Sequence, residues 1–392
     1  MPWPERSLMS LRVEFVLLVK AGAKVAPLCR RYGISRKTGN KWLARYEAQG
    51  EAGLADGSRR PHCSPRRSAE ELEARVVALR REHPCWGGRK LARCLHDQGV
   101  AAVPAPSTIT AILRRHGLID PAQATKHKAF IRFEHDQPNA LWQIDFKGHF
   151  PLERGRCHPL TVLDDHSRFS IRLSACANEQ DQTVREHLSD AFRRYGLPLA
   201  IIQDNGSPWG NGPGQPLTAF SVWLMRLGIR VSHSRPYHPQ TLGKDERFHR
   251  TLKAEVLQGC SFRDLAEAQA AFDRWRPIYN LKRPHQAIDL NVPASRYQPS
   301  PRPFPERLPT IEYGSDDLVR KVHDGGWITV HGRDYHIGRA FVGLPVALRP
   351  TTTDGLWEVY FLTNRISQID LRDPIPSTVT HVSEHLSPLS PV

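Results

Sequence analysis

The stretch at residues 199–203, followed by Asp204-Asn205-Gly206, constrains the fold of this chain more than any other. Residues 199–202 form a continuous apolar run, so both faces of a strand built from them are apolar. This predicts a strand near the middle of a sheet, covered on both sides. Asn205-Gly206 is a turn signal that ends the strand. The stretch therefore predicts an α/β domain with the Asp204 carboxylate at one edge of its sheet.

The elements around this strand predict which α/β fold it belongs to. Three strands in succession are followed by helix, strand, helix, strand and helix, and no glycine-rich phosphate loop follows the first strand. This order is that of a ribonuclease-H-like fold with a mixed five-stranded sheet, and it is not that of a dinucleotide-binding fold. We place this central α/β domain at residues 141–290.

The charge distribution predicts a polyanionic partner. The 392 residues, enough for about two to four domains, carry 55 Lys and Arg against 40 Asp and Glu, a net charge of +15. Residues 1–130 contain 24 basic and 11 acidic residues, a net of +13, which leaves 31 and 29, a net of +2, for residues 131–392. A basic N-terminal part followed by a nearly neutral remainder is expected of a protein that binds DNA through its N-terminal part.

Residues 1–55 predict an all-α helix-turn-helix domain that binds double-stranded DNA. Gly33 and Ser35 suit the end of one helix and the cap of the next. The alternative is a solvated face on a small helical bundle. In the basic linker at 56–68, Arg59 and Arg60 could follow a phosphate backbone or a minor groove, or simply be solvated. The expected DNA contacts on the second helix are Arg36, Lys37, Asn40, Lys41 and Arg45.

The remaining segments complete a multi-domain organisation. Residues 69–120 predict a second helical DNA-binding unit, with a packing subdomain as the alternative reading. Short β-like runs separated by turns predict a small β-barrel near the C-terminus. The expected segments are a linker at 121–140, a proline-rich semi-rigid linker at 291–310, the barrel at 311–373 and a disordered tail at 374–392.

Cysteine and hydropathy patterns exclude several protein classes. None of the seven cysteines forms a C-x-x-C pair, so we expect reduced thiols and no zinc site. No apolar run approaches the roughly 18 residues of a membrane span. We expect a cytoplasmic, nucleoid-associated protein that does not bind membranes.

Acidic residues in the central domain suggest metal-dependent phosphodiester chemistry. Asp145, within the first strand, can lie beside Asp204, and two divalent ions, Mg²⁺ or Mn²⁺, would need such converging carboxylates. Glu246 lies on a predicted helix whose inner face contains Phe248 and Leu252. The alternatives are turn or edge aspartates and a surface salt-bridge stripe around Glu246.

Several motifs together resemble the DDE transposases of bacterial insertion sequences, which have a retroviral-integrase-type catalytic core. They are Trp142-Gln143-Ile144-Asp145, Asp164-Asp165-His166-Ser167-Arg168, Gln203-Asp204-Asn205-Gly206, Pro236-Tyr237-His238-Pro239-Gln240-Thr241 and Glu246-Arg247-Phe248-His249-Arg250. The resemblance implies that Asp145, Asp204 and Glu246 are the catalytic metal ligands. It also implies a homo-oligomer, a dimer or larger, assembled on element ends and target DNA. Further expected DNA contacts are His238, Lys244, Arg247, His249, Arg250 and Lys253.

The chain departs from that family pattern in three places. The interval 246 − 204 = 42 is longer than usual, Leu242 replaces the usual Asn, and Asp245 stands beside Glu246. We expect Glu246 to be the ligand because the following Arg-Phe-His-Arg fixes the register. Asp164 and Asp165 are expected to orient the strand turn. The expected function is transposition, with a decayed DNA-binding repressor or a ribonuclease-H-like nuclease as the alternatives.

Overall fold

The computed structural model describes residues 8–56, 67–119, 134–204, 206–210, 217–233 and 243–372. The predictions for Arg59, Arg60, His238 and the tail at 374–392 therefore lie outside the described residues. The chain forms two compact units, Met1–Arg67 and Ser68–Val392. Within the described ranges, no helix is both long and apolar enough to cross a bilayer.

The first unit is a three-helix domain. Its helices are α1 (Leu8–Lys20), α2 (Val25–Arg31) and α3 (Arg36–Gln49), and a 3₁₀ turn (Gly50–Leu54) follows. Ser35 caps α3 as predicted, with its Oγ accepting a hydrogen bond from the amide of Thr38 at 3.1 Å. A Cβ at Gly39 would lie 2.6 Å from Cys29 Sγ, so only glycine lets α3 pack this closely on α2.

The second unit begins with another small helical domain. It consists of α4 (Glu70–Glu82), α5 (Gly88–Asp97) and α6 (Pro106–Arg115), which enclose Trp86 and a set of buried aliphatic side chains. Ile278 of the central domain packs against the same core, and Cys85 Sγ lies 3.3 Å from the carbonyl oxygen of Ala254. These contacts dock the helical domain on the central domain.

The central sheet is mixed, as predicted, but it has six strands, so the prediction of five was wrong. Strand β3 pairs antiparallel with β4 and β1, and β1, β5 and β6 are parallel. The additional strand is the two-residue β2, which pairs with the start of β3 where the chain turns back. The strands are β1 (Trp142–Phe146), β2 (Phe150–Pro151), β3 (Arg156–Asp164), β4 (Ser170–Cys176), β5 (Ala200–Gln203) and β6 (Arg230–His233).

Helices cover both faces of this sheet. On one face, α7 (Asp181–Tyr195) and α8 (Ala219–Arg226) enclose a core that includes Trp142. On the other face lie α9 (Gly243–Leu252) and α10 (Leu265–Pro277), each continued by a π-helical segment, Lys253–Leu257 and Ile278–Lys282. Two short 3₁₀ turns, Gln286–Ile288 and Pro293–Arg296, follow.

The proline-rich segment, predicted as a spacer, is a strap on the central domain. Tyr297 and Phe304 pack against its core, and the Arg302 guanidinium donates hydrogen bonds to the carbonyl oxygens of Pro198 and Gly228. Proline keeps this segment extended without using backbone donors. The side chains between the prolines therefore attach it to the domain.

The C-terminal part is an open sheet with a hairpin, and the predicted closed barrel is not found among the described residues. Four strands run in the order β12-β11-β10-β7, and β8 and β9 form a separate pair. The sheet buries its inner face on Val222 and Met225 of α8, so the central domain supplies the cover that barrel closure would otherwise give. The strands are β7 (Leu318–Lys321), β8 (Trp327–Val330), β9 (Arg333–His336), β10 (Pro345–Pro350), β11 (Leu356–Phe361) and β12 (Asn364–Asp370), with a 3₁₀ turn (Arg339–Phe341) between β9 and β10.

Candidate active site

The register of two parallel strands brings Asp145 and Asp204 together. Gln143 of β1 lies beside Ile202 of β5. Trp142 faces the core under α7 and α8, so Gln143 and Asp145 face the opposite side of the sheet, toward α9. The pairing of β1 with β5 ends at Gln143 and Ile202; the same register continued for two residues would set Asp145 opposite Asp204.

Glu246 approaches the same place from helix α9. Its side chain is exposed, whereas Asp245, Phe248 and Leu252 turn toward the sheet. Burial, the largest cause, and the negative charges of Asp204, Glu179 and Glu246 together raise the pKa of Asp145 to about 7, against a hydrogen bond from the Phe146 backbone. The three predicted acids therefore share one electrostatic environment.

The chemistry of these donors fits a divalent cation. All three are carboxylates, the hard oxygen ligands that Mg²⁺ and Mn²⁺ take, and their mutual repulsion is relieved by a cation. Among the side chains that the structure describes, no group of three or more His, Cys, Asp or Glu residues is already placed to hold a metal ion. The three acids are neighbours, and they do not form a closed ligand cage.

His249, predicted to contact DNA, turns into the protein and supports the strand of Asp145. Its Nε2 lies 2.8 Å from Thr161 Oγ1, which donates to the carbonyl oxygen of Asp145 at 2.9 Å. Its Nδ1 is 4.0 Å from an Asp145 carboxylate oxygen. Burial, and then the charge of Lys147, lower the pKa of His249 to about 4, so the ring is neutral near pH 7 and the contact with Asp145 is not an ion pair.

Lys244, also predicted to contact DNA, is likewise used internally. Its Nζ forms an ion pair with the buried carboxylate of Asp165, which also accepts hydrogen bonds from Gln143 Nε2 at 2.8 Å and the amide of His135 at 3.0 Å. Asp164 accepts from the backbone and hydroxyl of Ser167. Both aspartates are thus occupied in the turn after β3, and Lys244 ties the first turn of α9 to that turn.

Asp245 is buried in the interface between α9 and the sheet. It has no exposed surface, and neither carboxylate oxygen has a hydrogen-bond partner among the described residues. Burial, followed by the charges of Asp145 and Asp165, raises its pKa well above the usual range. This upward shift favours the protonated form of Asp245, while its neighbour Glu246 faces solvent.

The other predicted DNA contacts divide by exposure. Arg45 is partly occupied, because it donates to the carbonyl oxygen of Ala55 at 2.9 Å and lies over the Trp42 ring. The predicted contacts that are exposed on α3, on α9 and just after α9 are Arg36, Lys37, Asn40, Lys41, Arg247, Arg250 and Lys253.

Sequence reasoning missed three supporting residues around the acids. Thr161 and Gln143 are buried polar residues in strands, and Trp209 is a buried residue of the segment 206–210, which follows Asp204. The available signal was a polar residue at alternate positions of an otherwise apolar strand. For Thr161 and Gln143, that signal does not identify which helix will cover the side chain.

Comparison with known proteins gives matches along most of the chain. The integrase core domain matches residues 135–239 and, through a second pattern, 227–293. The C-terminal domain of IS481 family transposases matches residues 317–375. A helix-turn-helix domain matches residues 11–62, and a homeodomain-like domain matches 38–113.

The chain is similar to the transposases of insertion sequences. This confirms the resemblance inferred from the motifs, together with the helix-turn-helix domain and the integrase core. A putative transposase for the element IS5376 of Geobacillus stearothermophilus is 22% identical, over 98% of this chain and 95% of its own length.

Two further relatives match shorter parts of the chain. The transposase for the element IS904 of Lactococcus lactis subsp. lactis is 25% identical over 57% of this chain and 92% of its own length. An IS476 protein of Xanthomonas euvesicatoria is 28% identical over 70% of this chain and 78% of its own length.

Proposed function

We propose that this protein is the transposase of an insertion sequence, and that it cuts at the ends of its element and joins them to target DNA. The N-terminal helix-turn-helix domain, with its exposed basic α3, would bind the terminal inverted repeats. The observation that supports the proposal is that the charges of Asp204 and Glu246 both act on Asp145, two residues beyond the paired Gln143 and Ile202.

The three acids would hold two Mg²⁺ or Mn²⁺ ions. When bound, these ions supply activation of the attacking oxygen and stabilisation of the leaving oxygen. The chain itself supplies the placement of the carboxylates through the strand register and through α9. Arg250 and Lys253, exposed beyond Glu246, would neutralise the DNA backbone that approaches the acids.

The reaction would proceed in two stages at the same site. Water attacks a phosphodiester at the element end and releases a 3′-hydroxyl. That hydroxyl then attacks a phosphodiester of the target, so one bond forms as another breaks and no covalent bond to the enzyme is needed. Because two ends are joined in one event, we propose a homo-oligomer, at least a dimer, assembled on DNA.

Labelled duplexes test the proposal directly. The inverted repeats that flank the gene supply the specific end, and a shuffled duplex of the same length is the control. We expect Mg²⁺-dependent nicking at the end and strand transfer into a plasmid, lost in Asp145→Ala and Glu246→Ala. Glu186→Gln, which changes an exposed glutamate on α7, is the matched control and should remain active.

Two outcomes would favour a different function. Tight binding of the end with no nicking by the wild-type protein, under conditions that permit pairing of ends, would favour a repressor. Equal cleavage of the specific and shuffled duplexes would favour a nuclease. Strand transfer that survives both alanine substitutions would contradict the assignment of the three acids.

A further inference from the structure

Trp209 belongs to the described segment 206–210, which follows Asp204, and its side chain is buried. Only 2% of its surface is exposed, and its ring packs against two other aromatic rings. It stacks on Phe146 with ring centres 5.6 Å apart and planes inclined by 30°, and it meets the edge of Phe220 at 5.5 Å. Such pairs add about 0.5–1.5 kcal/mol each beyond the area they bury.

Two hydrogen bonds join the backbone of Trp209 to residues that precede it. Gln203 Nε2 donates to the carbonyl oxygen of Trp209 at 3.1 Å, and the amide of Trp209 donates to the carbonyl oxygen of Gly206 at 2.8 Å. Gln203 directly precedes Asp204, and Gly206 lies two residues after it. The chain is therefore tied to Trp209 on both sides of Asp204.

Asp145 is paired with Thr161 of β3, but the pairing between β1 and β5 does not reach the two acids. Pairing between β1 and β5 covers only Trp142 with Ile201 and Gln143 with Ile202, so it stops two residues short of Asp145 and Asp204. Beyond that point, the ring contact between Phe146 and Trp209 joins the two chain segments. Each member of the pair follows one of the acids closely in sequence.

We propose that Trp209 is a positioning residue that sets the separation of Asp145 and Asp204, and through it the binding of divalent cations. This inference rests on the proposed function of the site. Phe146 faces the side of the sheet opposite Asp145, so the aromatic pair lies beneath the acids and on the far side of the sheet from the ions and DNA. Its loss changes the spacing of the acids without removing a ligand.

The experiment compares leucine substitutions at two buried tryptophans of the same core. Trp209→Leu removes the pair with Phe146, whereas Trp223→Leu removes a ring that packs on Phe192 and Phe220 and is 9% exposed. Trp209→Phe restores an aromatic ring. For each full-length variant, Mn²⁺ binding is measured by electron paramagnetic resonance without DNA, and end cleavage is measured as kcat and KM.

We expect Trp209→Leu to bind Mn²⁺ about tenfold more weakly and to lose about 10- to 100-fold in kcat. The KM for DNA should stay within about twofold, because no DNA contact is removed. Trp209→Phe should recover most of both losses. Trp223→Leu should lower the melting temperature, as Trp209→Leu does, yet keep the wild-type affinity for Mn²⁺.

Unchanged Mn²⁺ affinity in Trp209→Leu, or an equal loss in Trp223→Leu, overturns the positioning role. If Trp209→Leu is too unstable to assay, Phe146→Leu carries the same test, because it removes the other ring of the pair. The binding measurement needs no cleavage. The two proposals can therefore fail separately. If Trp209→Leu weakens Mn²⁺ binding but the wild-type protein does not cut element ends, the proposed function is wrong and the positioning role stands.

Discussion

Thr161 Oγ1 lies 2.8 Å from His249 Nε2 and 2.9 Å from the carbonyl oxygen of Asp145. One hydroxyl group therefore joins helix α9 to the strand that carries a candidate metal ligand. Because Thr161 donates its proton to the carbonyl, it accepts from His249 Nε2–H, which fixes the tautomer of the neutral ring. The Asp145 strand and the Glu246 helix are thus held together through uncharged side chains.

The buried position of His249 leads to a prediction that contrasts it with its neighbour Arg250. His249→Ala should lower end cleavage about 10- to 100-fold, as expected when a supporting hydrogen bond is lost, with little change in DNA affinity. Arg250→Ala should weaken DNA binding and reduce the slope of log K against log salt concentration by about 1. Fluorescence anisotropy over a range of salt concentrations separates the two effects, and a reduced slope for His249→Ala would contradict the structure.

Asp245 and Glu246 are adjacent acids with opposite environments, and we predict opposite results from removing their charges. Glu246→Gln should reduce cleavage by at least about 100-fold, the scale seen when an electrostatic group at a reacting centre is removed. Asp245→Asn should keep cleavage within a few-fold, because an amide mimics the neutral acid. Single-turnover cleavage with Mg²⁺ measures both variants. Loss of cleavage in Asp245→Asn with Glu246→Gln active would make Asp245 the ligand.

The buried pair of Asp165 and Lys244 predicts a loss of stability that depends on pH. Burial already lowers the pKa of Lys244 to about 8, and Asp165→Asn removes the negative charge that opposes this shift. The substitution should lower the free energy of unfolding by up to about 3–5 kcal/mol where Lys244 stays protonated. Although burial alone would raise it, the charge and hydrogen bond of Lys244 hold the pKa of Asp165 below its usual value. A lowered folded-state pKa contributes stability above the unfolded value, about 3.9, and this contribution is lost as the pH falls through the folded value.

The pH dependence separates this ion pair from a general loss of packing. Thermal melts should show a clear difference between wild type and Asp165→Asn near pH 5, and a smaller difference as the pH falls below about 4. Asp136→Asn, at an exposed aspartate, is the control and should melt like the wild type. A difference that does not change in acid would mean that the charge of Asp165 is not what stabilises the fold.

Helix α8 packs on one side against the core of the central sheet and on the other against the core of the C-terminal sheet. We therefore predict that α8 attaches the C-terminal sheet to the central domain. Val222 is 4% exposed and packs under this sheet, whereas Val319 on β7 is 39% exposed. Val222→Asp places an unpaired charge in that core and should cost about 3–5 kcal/mol, with faster proteolytic release of the C-terminal fragment. Val319→Asp should leave the digestion pattern unchanged, and equal digestion of the two variants would contradict the interface.

Features set by neighbouring residues could be predicted from the sequence. The Ser35 cap, the mixed sheet order and the position of Asp204 at the end of its strand depend on turn chemistry and on the two-residue period of a strand. Even the burial of Asp245 follows from its i, i+3 relation to Phe248. For the same reason, the motifs around Asp145, Asp204 and Glu246 were sufficient to indicate the transposase family.

Only the tertiary structure decided which polar groups turn inward and how the sheets end. Lys244 and His249 have the composition of a DNA-binding face, yet the rotation of α9 on the sheet directs them to Asp165 and Thr161. The C-terminal strands stay open because α8 covers them. These outcomes depend on residues that are distant in sequence, whose relative positions no local period determines.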